Sequence, residues 1–338
     1  KNYYFTHPLI NDKMKKNIFL TMVAVLGFTT VGFSQAQNPE CMTNLSIYAE
    51  HAKVKNYEAA YTPWKMVYDN WPGINKANFS LGEKNLDYKI ENSTGAEKKA
   101  YIDELLTLHD RSMEFFPKNY TLSSVNSDKA SVLYDNKMAS DEEIYTMLSK
   151  AFKEDPANFD NPKALYLYFS SLVNLHEAGK KDLQEVFNVY DDVNEKIDEE
   201  NAKYLDRINK LLPKEEAGTL TAKEKRQLKS YSSFSENYGK ISGSIDSKLG
   251  ALADCENLIP LYEKNFEQKK NDIDWVKRAV GRMFNKDCTD DPLFRKLFEA
   301  QLALEPSASA YLYGGALKVK DGDNKGALAD FDKAAELE

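Results

Sequence analysis

The residues with the most chemistry open to them are three cysteines, Cys41, Cys255 and Cys288, and four histidines, His7, His51, His109 and His176. None of the cysteines forms a C-x-x-C pair, and no histidine sits in H-E-x-x-H or another close ligand pair, so no zinc or dithiol redox site is spelled out. G-x-S-x-G, Walker and G-x-G-x-x-G loops are also absent, which removes the common signatures of acyl transfer, nucleotide binding and dinucleotide binding. Acidic pairs such as Glu199-Glu200 are numerous, but carboxylates at helical spacing serve most often as a solvated face. One fragment imitates a calcium loop. "DGDNKG", from Asp321 to Gly326, has Asp at positions 1 and 3 and Gly at 6, with Asp332 at 12. Lys325 then falls at position 5, where a ligand oxygen is needed, and position 12 is normally Glu. The same Gly and Asp are explained by a turn. The expectation is therefore no enzyme, no cofactor and no metal site.

Whatever these residues do, helices must position them. The 338 residues are 29% charged and 12% aromatic with only 15 Gly and 11 Pro, a composition rich in Lys, Glu, Leu and Ala that favours an all-α fold. Met14 opens "MKKNIFLTMVAVLGFTTVGFSQAQ": two lysines, an apolar run over 18–33, and Ser34-Gln35-Ala36 as a small-x-small cleavage site. This reads as a secretory signal peptide over 14–36, cut after Ala36, with residues 1–13 an uncertain upstream segment. Removing residues 1–36 takes away four lysines and one aspartate and leaves a net charge of −11. An acidic chain without a basic stripe argues against nucleic acid or an anionic membrane as partner. No membrane span is expected after cleavage. Asn38-Pro39-Glu40, rather than small residues, precede Cys41, so the cysteine does not read as a lipid attachment site.

The chain repeats itself. In "AYLYGGALKVKDGDNKGALADFDKAAELE", Tyr311 is followed four residues later by Gly315. Gly322-Asp323 makes a turn, and Ala327, Phe331 and Ala334 follow at helical spacing. Gly315 and Ala327 are small so that two antiparallel helices approach closely, and Phe331 fills the space toward a neighbouring pair. Gly322 ends the first helix, where a positive φ is cheap only for Gly. The pattern recurs over 41–72, with Ala60 and Trp64 and a closing Pro72, and over 75–117, with Leu81-Gly82 and Pro117. It returns over 123–156, where Ser140 and Glu143 form a capping box, and over 275–306. The middle departs from it. Leu183, Phe187, Tyr190, Val193, Ile197, Tyr204, Ile208 and Leu211 predict one amphipathic helix to about residue 212. Residues 213–220 then form a turn, and a second long helix follows, with Leu228, Tyr231, Phe234, Tyr238, Ile241, Ile245 and Leu249 on one face. Together they predict an antiparallel hairpin with its tip near 213–221, projecting from the array.

These repeats resemble the tetratricopeptide repeat, and "LPKEEAGTLTAKEKRQLK", "GSIDSKLGALADCENLIPLYEKNFE" and "KALYLYFSSL" are similar to segments of secreted proteins of that type from Bacteroidota envelopes. The resemblance implies an α-solenoid of antiparallel helix pairs. It divides the chain into N-terminal repeats over 37–160, repeats with the extended hairpin over 161–274, and C-terminal repeats over 275–338. It also implies an exported scaffold for other proteins or peptides, periplasmic or associated with the outer membrane, in which Tyr166, Phe169 and Tyr311 are candidates to line a groove. A basic clamp for a peptide carboxylate is not expected, because Leu312 and Ala316 occupy its slots in the last repeat. The alternative function is capture of a glycan or small ligand, which the placement of Trp64, Trp71 and Trp275 at repeat positions disfavours. Cys255 and Cys288 hold corresponding places in adjacent repeats. Such points lie about 10 Å apart in stacked repeats, beyond the ~7 Å limit for a bridge. A longer turn over 285–291 allows an offset, so the pair is either a structural disulfide, the favoured reading, or two small buried thiols. Cys41 is then unpaired. The last helix ends with Phe331 and Ala334 facing a helix that does not follow, which reads as a truncation at Glu338.

Overall fold

A computed structural model describes residues 38–337. The signal-peptide reading over 14–36, residues 1–13 with His7, and Glu338 lie outside the described residues. Within them the chain is all helix. The helices are α1 Pro39–Lys53, α2 Tyr57–Asn70, α3 Ala77–Glu91, α4 Gly95–Phe115, α5 Leu122–Asp135, α6 Asp141–Glu154, α7 Pro162–Glu177, α8 Leu183–Asn209, α9 Leu212–Glu216, α10 Ala222–Leu249, α11 Cys255–Lys269, α12 Ile273–Asn285, α13 Pro292–Leu304, α14 Ala308–Lys320 and α15 Asn324–Glu336. None of them is long and apolar enough to cross a membrane.

Local chemistry sets these boundaries. Side chains of Asn38, Asn56, Asn161, Asp182, Asp254, Asp272, Asp291, Ser307 and Asp323 each accept a first-turn backbone N–H, supplying the partners that a helix start lacks. Ser140 and Glu143 bond reciprocally at the start of α6, at 2.8 and 3.3 Å. Pro72 and Pro156, which close two repeats in the sequence, each begin a short 3-10 turn. Gly322 holds a φ of 79° between α14 and α15.

Two compact units are distinguished. Among the described residues, one comprises 38–138 together with Lys150–Phe159. In it, consecutive helices α1 to α5 pack pairwise. Its centre is Trp64, which stacks on Tyr68 at 5.1 Å and donates from Nε1 to the backbone oxygen of Asn78 at 2.8 Å. Phe79, Leu86, Ile102, Leu105 and Leu108 complete that core.

The other unit comprises Ala139–Ser149 and the chain from Asp160 onward. Here α7 is buried along most of its length, and both α8 and α10 pack on it. α8 and α10 pair with each other as the long hairpin, each helix about 40 Å long at 1.5 Å per residue. The hairpin is buried mainly at its base, through Val186, Phe187, Val193 and Ile197 of α8 and Tyr238, Ile245 and Leu249 of α10, with Leu228 of α10 buried near the tip. Beyond Glu200 no residue of α8 is buried, and the distal part packs on itself through Tyr204, which stacks on Phe234 at 5.1 Å. The tip differs from the predicted turn. Pro213 sits in the first turn of a five-residue helix, α9, where its missing N–H costs nothing. After the hairpin, α12 to α15 pack in sequence, and α14 and α15 form the closest pair.

Candidate binding cleft

A recess in the second unit lies between the base of α8, the end of α10 and the outer face of α12, with a volume of about 740 Å³. Helical periodicity creates its walls. On α12 one face buries Trp275, Val276, Ala279, Val280 and Met283. The other face, at offsets of three and four, presents Asp274, Lys277, Arg278, Gly281, Arg282 and Asn285 to the recess. Tyr190, Asp191, Asn194, Glu195 and Asp198 form the matching stripe on α8.

Between the stripes runs one polar network. Arg282 is ion-paired with Asp191 and donates from Nη1 to the Tyr262 hydroxyl at 2.6 Å. Its guanidinium lies 5.0 Å from the Phe187 ring centre and 4.9 Å from that of Tyr190. Burial alone would lower the pKa of Arg282; Tyr262 and Asp191 outweigh it and hold the cation. Arg278 reaches the other oxygen of Asp191 at 3.2 Å and Glu195 at 3.9 Å. The Tyr190 hydroxyl donates to Asp246 at 2.5 Å, and its pKa is raised by burial and then by that carboxylate. This floor is largely paired, although Arg278 Nε is buried without a well-aligned hydrogen bond. Asp198, Asp274 and Lys286, by contrast, have no ion partner among the described residues and face the recess. The cleft therefore offers both signs of charge. Among the described residues no group of three or more His, Cys, Asp or Glu is placed to hold a metal ion.

Cys255 and Cys288 are joined in a disulfide, with Cα atoms 5.5 Å apart. The gap of about 10 Å expected between equivalent points is closed because Cys288 lies in the turn after α12 rather than on a helix. The bridge borders the cleft: Ala253 and Lys286, each two residues from a bridged cysteine, line it. Cys41 is free and fully buried in the first unit, where burial pushes its thiol up.

The groove candidates do not meet at the cleft. Tyr166 and Tyr311 are half-buried on α7 and α14. Phe169 is a correction: it is fully buried, packed on Tyr190 at 5.7 Å, and offers no surface to a partner. The alternation of aromatic residues on α7 suggested a groove face, but α8 and α10 both cover that helix. The small residues of the repeats lie at close approaches. A Cβ on Gly82 would stand 2.5 Å from the Trp64 indole, and one on Gly315 2.3 Å from the Phe331 ring. Ala60, Ala327 and Ala334 are buried, and Phe331 remains 36% exposed.

In the calcium-like fragment, Asp323 caps α15 by accepting from Gly326 N at 2.9 Å, and Asp321 pairs with Arg295 at 2.8 Å. Of the histidines, His109 is buried and its pKa is pushed down to about 4 by that burial, while His176 Nδ1 lies 2.8 Å from the Lys181 carbonyl.

Sequence reasoning missed Asp191, Arg278 and Arg282. Asp191 and Arg282 are 91 residues apart, and the only local sign was that α8 and α12 each carry a charged stripe opposite an apolar one.

No protein-family model matches the chain, and no curated protein matches it. Among solved structures, it is similar to a tetratricopeptide repeat protein from Parabacteroides merdae, with a TM-score of 0.33 and 14% identity over 89% of this chain and 94% of that one. At that distance the likeness carries no argument.

Proposed function

We propose that this chain is an exported scaffold of tetratricopeptide-like helix pairs that binds other proteins in the bacterial cell envelope, with the cleft between α8, α10 and α12 as a principal contact surface. The observation that carries this reading is the cleft's composition. A floor of ion pairs between Asp191, Arg278 and Arg282 is flanked by carboxylates at Asp198 and Asp274 and a cation at Lys286 that have no ion partner among the described residues. Such a surface suits a polypeptide segment that itself carries both charges, and selects it by complementarity more than by apolar area. The Cys255–Cys288 bridge supports an oxidising compartment, in agreement with the leader read in the sequence. Glycan capture would call for exposed stacking rings; Trp64 and Trp275 are buried, and Trp71 is half-buried against the core of the first unit.

The test is site-specific photocrosslinking in the native envelope. A crosslinker at position 277, on the cleft wall, is expected to yield discrete protein adducts that a D198K/D274K background removes. A crosslinker at position 54, on the exposed Val54 of α1, serves as reference. Identical adduct patterns from the two positions, or none from 277, would refute the cleft as the contact surface.

A further inference from the structure

The tip of the long hairpin reverses the charge of the molecule. Residues 201–232 contain eight Lys and Arg and four Asp and Glu, a net of +4 in a chain whose total is −8. Within this segment Lys203, Lys210 and Lys214 are paired with carboxylates. Lys223, Lys225, Arg226 and Lys229 are exposed on α10 and have no ion partner among the described residues. The charge is therefore concentrated and unneutralised on one side of one helix end.

The same tip holds a small pocket. Ile208, Leu212, Leu220 and Leu228 line it together with Lys225, Lys229 and one carboxylate, Glu215, and its volume is about 580 Å³. It is framed by designed-looking local chemistry. Lys214 Nζ lies 2.6 Å from Glu224 Oε1 and ties α9 to the start of α10. Glu224 also accepts from Thr221 N at 2.9 Å, and Thr219 N donates to the Lys214 carbonyl at 2.9 Å. Leu212 is nevertheless 38% exposed, and Leu205 close by is 44% exposed. Leu228 is buried and gives the hairpin end a small core, while Leu212 leaves part of that apolar surface open to solvent.

We infer that the hairpin tip is a docking site for an acidic segment of a partner protein that inserts one apolar side chain into the pocket between α9 and α10. This rests on the reading of the chain as a protein-binding scaffold. Charge complementarity selects the occupant: two exposed lysines, Lys225 and Lys229, line an apolar recess roomy enough to admit an aliphatic or aromatic side chain, and Lys223 and Arg226 add positive charge on the same helix end. An anionic membrane is the less favoured match, because the remaining body carries −12 and is repelled by an extended anionic surface more than by a short acidic segment that touches the tip alone.

The experiment uses the intact chain and a fluorescein-labelled 14-residue peptide of Asp and Glu with one central Leu, followed by fluorescence anisotropy at low salt. Replacing that Leu by Ser is expected to weaken binding about tenfold, the loss of one buried Leu side chain. K225E/R226E/K229E is expected to weaken it about tenfold as well and to flatten its salt dependence, while L220A removes the discrimination between the Leu and Ser peptides. Unchanged helical circular dichroism checks that each variant folds. Equal binding of the Leu and Ser peptides would reduce the tip to a general cation patch and overturn the proposal. So would equal binding by the charge-reversed variant, self-association of the chain through the tip, or tighter binding to phosphatidylglycerol vesicles than to the peptide. If the peptide fails while the position-277 crosslinks persist, the tip assignment falls and the scaffold reading stands.

Discussion

Two glycines separate the effects of burial and mobility at the scale of a single residue. Gly82 and Gly315 both lie where a Cβ would overlap an aromatic ring, at 2.5 and 2.3 Å. The neighbours differ in what they can do. Trp64 is fully buried, stacked on Tyr68 and hydrogen-bonded to the Asn78 carbonyl, so it has nowhere to go. Phe331 is 36% exposed and can rotate toward solvent. Alanine gains about 1 kcal/mol over glycine in helix propensity at either place. Overpacking costs about 1–3 kcal/mol, at the upper end against an immovable indole, and wins. G82A is therefore expected to destabilise by about 2 kcal/mol and G315A to be close to neutral, read by urea denaturation. A G82A protein as stable as the parent would mean that the Trp64 site is looser than its contacts state. Glu83, on the next position of α3, gives a pH signature. Burial pushes its carboxyl up to about 7, with Asp128 and Asp87 adding repulsion. The folded chain thus holds this proton more tightly than the unfolded one, whose Glu titrates near 4.5. Stability from this group is complete below that lower value and is lost as pH rises toward 7. E83Q should melt higher than the parent at pH 8 and at the same temperature at pH 4; a shift that does not change with pH would contradict the assignment.

Elements were legible where their signals are local. The repeat pairs over 41–72, 75–117, 123–156, 275–306 and the last segment were readable because small residues, caps and closing prolines lie within one period of each other, and each corresponds to two described helices. The two long hairpin helices were readable from uninterrupted apolar spacing. What escaped was everything set by tertiary partners. Pro213 reads as a turn in sequence, yet a proline is equally suited to a first helical turn, and the Lys214–Glu224 pair ties that turn to α10 from ten residues away. Phe169 reads as a surface aromatic until α8 and α10 close over it. The cleft joins α8 to α12 through charges that no periodicity links. The disulfide is the clearest case of an element-scale constraint, because it closes a loop spanning 33 residues around α11 and α12. Its removal by C255S/C288S is expected to cost about 3–4 kcal/mol, mainly through the greater freedom of the unfolded chain. Reductant should lower the parent's melting temperature by the same amount and leave the double variant unchanged. Equal melting of parent and variant under oxidising conditions would show that α11 and the turn after α12 are held together without the bridge.

At the scale of the whole molecule, charge, compartment and stability are linked. A body that is acidic overall keeps copies of the chain apart, while the tip carries a local excess of positive charge and the cleft carries both signs. That division of labour matters only if the chain reaches the compartment where its bridge forms, and the three cysteines report on this directly. Cys41 is fully buried and free, and the other two are joined. Chain recovered from the envelope should therefore show no thiol reactive toward a bulky reagent while folded, and one per molecule after denaturation. The same chain begun at residue 37 and retained in the cytoplasm, where thiols are kept reduced, should show three after denaturation. It should also melt lower by the stability that the bridge contributes, and adding oxidant to the purified protein should restore the difference. Mass spectrometry of the envelope form should find its first residue at Gln37. One thiol in the cytoplasmic form would mean that the bridge forms independently of export, and the compartment argument would fail. Three in the envelope form would remove the bridge from the working molecule, and with it the fixed rim at Ala253 and Lys286 on which the cleft depends.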